Sequence, residues 1–191
     1  MTDAGAEQHF QQAQDKHRAG RLGDAVNLYR DALARDPRHL GALFNLAQIS
    51  LRRGNPAEAE SLLRRAIAIT PAEPAFHVSL SAALRADGRP AEAKASAEQA
   101  LKLRANLPDA WNNLALAAMD LGDVALAEQA FARLLALDQR HADGLIGLGS
   151  LRLQQGRLDE AEQALGNAIR LRPNHPLAYI RLGDVFTARG R

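Results

Sequence analysis

Apolar positions along this chain recur at the spacing of helices, and the helices come in pairs. Between Ala142 and His175, Leu145, Leu148 and Gly149 fall on one face of a first helix, Gly156 interrupts it, and Ala161, Leu165 and Ala168 make the inner stripe of a second. Pro173 then ends the unit. The same order returns along nearly the whole chain: Gly20, Gly54, Gly88, Gly122, Gly156 and Gly190 stand 34 residues apart. Ala25, Ala59, Ala93, Ala127 and Ala161 keep that step, as do Ala32, Ala66, Ala100 and Ala168, with Leu134 the one exception. A fixed period of this length predicts stacked helix–turn–helix units.

Prolines agree with the predicted boundaries. Pro74, Pro108 and Pro176 open first helices, Pro56 and Pro90 open second helices, and Pro37, Pro71 and Pro173 lie in turns between units. At the first helical position the missing N–H costs nothing. Small residues mark the tightest crossing: Ala13, Ala47, Ser81, Ala115, Gly149 and Gly183 share the eighth position of each unit, where they are expected to face the recurring alanine of the second helix. A larger side chain there would overpack it.

This order of large apolar, small, glycine, alanine, bulky, alanine and proline residues resembles the tetratricopeptide repeat family in its bacterial form. The resemblance implies an all-α solenoid, a right-handed superhelix of antiparallel helix pairs with five repeats plus one extra helix. On this alignment residues 1–5 form a lead and 6–191 a single array, with repeats 6–39, 40–73, 74–107, 108–141 and 142–175 and a half repeat 176–191. Ala105 and Gln139 replace the proline that ends other units, and only Trp111 supplies the family's leading tryptophan. The first helix carries His9 and Gln12 at positions expected to face a preceding repeat, and a polar face suits an exposed end.

Composition narrows the function. With 47% hydrophobic residues the chain can bury a strip of core between repeats, and it has no apolar run long enough to span a membrane. The N-terminus lacks the basic-then-apolar order of a secretion signal, so the expected location is cytoplasmic with no membrane partner. Cysteine is absent, which excludes thiolate chemistry. The net charge of +2 is near balance and the arginines scatter, Arg52 and Arg53 ending one helix and Arg64 and Arg65 sitting midway along the next. Nucleic-acid binding needs them gathered on one face, so none is expected.

Catalytic and metal chemistry find no support. Asp24, Glu58, Glu92 and Glu160 share one position in the first turn of second helices, with Glu60, Glu128 and Glu162 two places on, where the helix terminus favours negative charge in every unit. His39, His141 and His175 recur at one turn position, and stacked units keep such residues on the order of 20 Å apart, too far to share a metal. No metal-binding, phosphate-cradling or dinucleotide motif is present, and the glycines of Gly144–Ser150 are packing residues inside an amphipathic helix. The expectation is a non-enzyme with no cofactor and no metal.

What remains is a binding surface. The family resemblance places it on the concave side formed by first helices, which here carry Phe44, Asn45 and Gln48, then Val78 and Ser79, then Asn112, Asn113, Leu116 and Met119, then Ile146. Amides pair with both backbone groups of an extended peptide and apolar side chains seat its residues. Asn45 and Asn113 share the sixth position, similar to the asparagine ladder of O-linked N-acetylglucosamine transferases, but Gln11, Ser79, Gly147 and Arg181 interrupt it. The carboxylate clamp of tetratricopeptide co-chaperones is not matched, because Phe10, Val78 and Ser79 stand at its cationic positions. The expected function is therefore a scaffold or adaptor that binds a protein or peptide. The alternative is the substrate-recruiting arm of a larger bacterial enzyme, a glycosyltransferase, sulfotransferase or hydroxylase, continuing beyond Arg191. The last helix is expected to pack through Tyr179, Leu182, Gly183 and Phe186 and to leave Ile180 and Val185 exposed for self-association.

Overall fold

The structure is a computed structural model that describes residues 3–190, in which eleven α-helices and no strand occur. They pack as two compact units, one ending at Leu103 and one beginning at Arg104. The first holds α1 (Ala4–Arg18), α2 (Leu22–Arg35), α3 (Leu40–Arg52), α4 (Pro56–Ile69), α5 (Pro74–Ala86) and α6 (Pro90–Leu103). The second holds α7 (Pro108–Asp120), α8 (Val124–Leu137), α9 (Ala142–Gln154), α10 (Leu158–Leu171) and α11 (Pro176–Ala188). Within each unit, consecutive helices pack on one another and alternate first helices also touch, α3 on α5, α7 on α9 and α9 on α11.

The recurring glycine has a backbone cause. All six in-register glycines adopt positive φ, between 71° and 75°, and no other described residue does. In the turn after α3, Gly54 N–H bonds Leu51 C=O at 3.0 Å and Asn55 N–H bonds Ser50 C=O at 2.9 Å, the paired closure that ends a helix through a left-handed residue. The same two bonds recur after α1, α5, α7 and α9. Prolines occupy the first turn of α4, α5 and α7 as expected. The lead is shorter than its expected five residues: Ala4 and Gly5 are already helical, because Asp3 caps the helix by accepting from Gly5 N–H at 2.7 Å.

Small residues set the helix crossings. A Cβ on Gly149 would lie 2.6 Å from Leu165 Cγ and 3.3 Å from the Ala161 carbonyl, so this eighth position does face the recurring alanine. Ser81 fits the same place by donating to the Ala93 carbonyl at 2.7 Å. In α9 the other two glycines also lie beneath bulk: a Cβ on Gly144 would meet Leu134 Cδ2 at 2.2 Å, and one on Gly147 the Phe131 ring at 2.5 Å.

The last helix corrects the sequence reading. Val185 and Ala178 are 0% exposed and join the core of Leu145, Ala161, Leu165 and Ala168, whereas Tyr179 is 50% and Ile180 58% exposed. The third and tenth positions of a first helix therefore face the preceding unit. The stripe at 179, 182, 183 and 186 is the one that in α9, as Leu145 and Gly149, receives the second helix of its own unit. The exposed apolar surface of α11 is thus Leu177, Tyr179 and Ile180, without Val185. The same rule moves the polar cap of α1 from His9 and Gln12 to Gln8 and Asp15, both exposed.

Ion pairs tie helices that the apolar strip already joins. Glu58 is held below its usual range first by a hydrogen bond from Arg30, with Ser50 adding to it. Burial pushes Glu60 up, but Arg64 and Arg89 outweigh it and the net shift is down. Glu128 is lowered chiefly by Arg152. Carboxylates depressed in the folded state stabilise it above their unfolded pKa of about 4.3, and that stabilisation is lost as pH falls through the depressed values. The urea midpoint should fall below about pH 4, as these carboxylates protonate, with a shallower fall in Glu60→Gln; equal slopes for the two proteins in that range would mean that this network does not contribute.

Candidate functional site

The first-helix surface of the first unit is built on Tyr29, a fully buried ring at the centre of α2. Phe10 of α1 packs on it with centroids 5.9 Å apart, and Asn45 of α3 donates to its hydroxyl at 3.2 Å. Around the hydroxyl, Gln14, His17, Arg18, Tyr29 and Asn45 line a concavity of about 450 Å³. Burial and then the charge of Arg52, which donates to the His17 ring, hold His17 below its usual range, so the imidazole is neutral at pH 7. Burial pushes the Tyr29 phenol up.

Of the residues expected to line the groove, those of α3 and α5 come together in pairs. The Phe44 ring lies against Phe76 with centroids 5.4 Å apart, and Gln48 donates to Ser79 Oγ at 2.6 Å. Val78 is half-buried and Ser79 buried. In the second unit, Asn113, Leu116 and Met119 are half-buried on α7, and Asn112 is buried with its Oδ1 lacking a hydrogen-bond partner. Ile146 is 4% exposed and belongs to the core around Leu165, so it offers a ligand no surface. Sequence reading missed Gln14, His17, Arg18 and Tyr29. For Gln14, His17 and Arg18 the signal was a cluster of polar residues at the end of the first helix.

The recurring histidines have a structural task that spacing alone did not reveal. His39 Nδ1 accepts from Ala42 N–H at 3.2 Å, capping α3, while its Nε2 reaches Glu7 at 3.3 Å. His141 repeats this on Gly144 N–H at 3.0 Å and Asp109 at 3.1 Å, and His175 Nε2 meets Asp143 at 3.2 Å. Each therefore links the start of one helix to the first turn of the preceding first helix. The hydrogen bond from His141 holds Asp109 low, and the same bond raises His141. His141→Ala should cost about 1–2 kcal/mol in urea denaturation, through the lost cap; a loss under about 0.3 kcal/mol would show that water replaces it. Among the described residues no group of three or more His, Asp or Glu side chains converges as metal ligands would, and no helix is long and apolar enough to cross a membrane.

Comparison with known proteins gives a consistent result. Profiles described as tetratricopeptide repeat match residues 16–84 and 80–142, and one described as TPR repeat matches 149–190. No curated protein matches the sequence. Among solved structures, a thermophilic TPR protein of Thermus thermophilus is 23% identical with a TM-score of 0.78, covering 95% of this chain and 99% of that one. PilW, a widely conserved type IV pilus biogenesis factor, is 20% identical at a TM-score of 0.80, covering 98% and 92%. YrrB, a TPR protein with an unusual peptide-binding site, is 19% identical at 0.67, covering 94% and 98%. At these identities the likeness concerns the fold. The glycine-closed αα turns, the small-residue crossings and the three profile matches together place this chain in the tetratricopeptide repeat family.

Proposed function

We propose that this chain is a non-catalytic scaffold or adaptor, cytoplasmic, whose first helices bind an extended protein or peptide segment. The observation that carries this reading is the concavity over Tyr29, which opens between first helices and draws lining groups from α1, α2 and α3. Half-buried Phe44, Asn45 and Val78 extend the same mixed apolar and amide character along α3 and α5 of the first unit, and the second unit by itself offers half-buried Asn113, Leu116 and Met119 on α7. Such a surface seats side chains and pairs with backbone, which suits a peptide better than a sugar or phosphate. The solved relative YrrB, with its peptide-binding site, supports the same use of the fold.

The test is a peptide selected against the whole chain and titrated against variants. Asn113→Ala should weaken binding by about 1–2 kcal/mol, while Arg133→Ala on the exposed side of α8 should not change it. Greater loss in Arg133→Ala would move the site to the second helices.

Self-association through α11 would use its exposed Leu177, Tyr179 and Ile180. Sedimentation of the parent and of Ile180→Glu checks this reading.

A further inference from the structure

In the first unit, arginines bridge the gaps between successive second helices. From α2, Arg30 donates to Glu58 of α4 at 2.8 Å, and from α4, Arg64 reaches Glu92 of α6 at 3.6 Å. Arg65 of α4 spans the first gap in the other direction, donating to the Pro37 carbonyl at 3.0 Å. The recurring leucine of the seventh position is buried in this unit, as Leu46 in α3 and Leu80 in α5.

The second unit has neither kind of bridge between α8 and α10. Ala132 of α8 holds the repeat position of Arg30 and Arg64, and Asn167 of α10 holds that of Arg65. Both are too short to cross. A cavity of about 170 Å³ lies open there, floored by Leu145, Leu148 and Arg152 of α9 and walled by Ala164 and Asn167 of α10. Arg152 bonds to Glu128 of α8 and lies 3.3 Å from Glu160 of α10, so the floor runs between the two second helices. Leu148, unlike its equivalents Leu46 and Leu80, is only half-buried.

The chemistry of this cavity selects its occupant. Its ions cancel, because Arg152 pairs with Glu128 while Glu160 takes two bonds of 2.7 Å from the Arg157 guanidinium. What remains is an apolar floor. A cavity of about 150 Å³ holds one benzene ring, whereas pockets for drug-sized ligands start near roughly 300 Å³, so the space suits a single apolar side chain. Exposed Ala132 leaves room for the backbone that carries it. At the mouth Asn167 accepts from Arg170, a guanidinium that makes no ion pair among the described residues, so a carboxylate beside the anchor completes the match.

We propose that the gap between α8 and α10 is a second docking surface, which takes a leucine-sized side chain of a protein partner with an acidic neighbour on Arg170. It lies on second helices, goes beyond the peptide reading of the first helices and does not depend on it. An adaptor with both surfaces holds two partners at once.

Nitrogen-15 NMR titration of the full chain tests this with three N-acetylated dipeptide amides, leucyl-glutamate, alanyl-glutamate and leucyl-glutamine. Leucyl-glutamate should shift the amides of α9 and α10 around Leu148 and Asn167 saturably, with a Kd on the order of 1–10 mM. Alanyl-glutamate should bind at least about 10-fold more weakly, because it leaves the floor wet. Leucyl-glutamine should bind about 2- to 5-fold more weakly, since an exposed ion pair contributes little. Arg170→Gln should remove that second difference and keep the first. Ala132→Arg combined with Asn167→Arg restores the bridges of the first unit and should weaken leucyl-glutamate by at least about 10-fold. Asn167→Arg alone gives the same reading should the pair disturb the spectrum away from α8, α9 and α10. No saturable shift up to about 50 mM, equal binding of either comparison probe, or undiminished binding to the bridged variant overturns the proposal. Shifts confined to the groove residues of α3, α5 and α7 overturn it as well and leave the peptide reading standing.

Discussion

Leu134→Ala should cost about 2–5 kcal/mol, and adding Gly144→Ala should return part of that loss. Leu134 is the one large residue in a series that is otherwise alanine at Ala32, Ala66, Ala100 and Ala168, and it is 0% exposed. Its extra volume is matched across the α8–α9 contact, where a Cβ on Gly144 would stand 2.2 Å from Leu134 Cδ2 and 3.2 Å from Cγ. Truncation leaves a void that the helices close only in part. Gly144→Ala alone gains about 1 kcal/mol in helix propensity, yet its methyl has no room beside Leu134, and a net loss of about 1–2 kcal/mol is expected. In the double variant the methyl enters the space the leucine left, so the losses should fall short of their sum by about 1–3 kcal/mol. Four urea denaturation curves give the coupling. Losses that add within about 0.5 kcal/mol would show that the two side chains do not share this space.

The same compensation explains what the sequence made legible and what it did not. The period, the helix starts and the turns could be read directly, because glycine at positive φ and proline in a first turn are backbone requirements that hold whatever packs nearby. Leu134 stood out as an exception but its partner did not, since pairing it with Gly144 needs the two helix faces in contact. The histidine links were within reach of a pairwise reading. His39, His141 and His175 each have an acid 32 residues earlier, at Glu7, Asp109 and Asp143, whereas Glu73 and Leu107, at the same turn position, have Gly41 and Ala75. Asking only whether the histidines could share a metal hid that correlation. The concavity over Tyr29 was illegible for another reason. Asn45 was visible as a sixth-position amide, but its bond to Tyr29 and the concavity around them arise from contacts among α1, α2 and α3 that no single helix shows.

The face of α11 was misread because an internal first helix buries two apolar stripes, and the sequence of an internal repeat does not tell which stripe faces backward. In α9 both are covered: Gly144 and Leu151 on one side, Leu145 and Gly149 on the other. Only α11, which has no second helix against it among the described residues, separates them, and there Val185 and Ala178 are the buried pair. Val185→Glu should therefore act on stability. A carboxylate at a fully buried, apolar site either costs several kcal/mol or forces the helix out. Undocking α11 limits the total, because the chain can release this one helix more cheaply than it can bury an unpaired charge, and about 2–4 kcal/mol is expected at pH 7. Ile180→Glu, at a 58% exposed position on the same helix, should stay within about 0.5 kcal/mol. Hydrogen exchange supplies the local readout, since in Val185→Glu the amides of α11 should lose protection while those of α7 and α8 keep theirs. A Val185→Glu protein as stable and as protected as Ile180→Glu would reverse the assignment of the two stripes and restore Val185 to the exposed face.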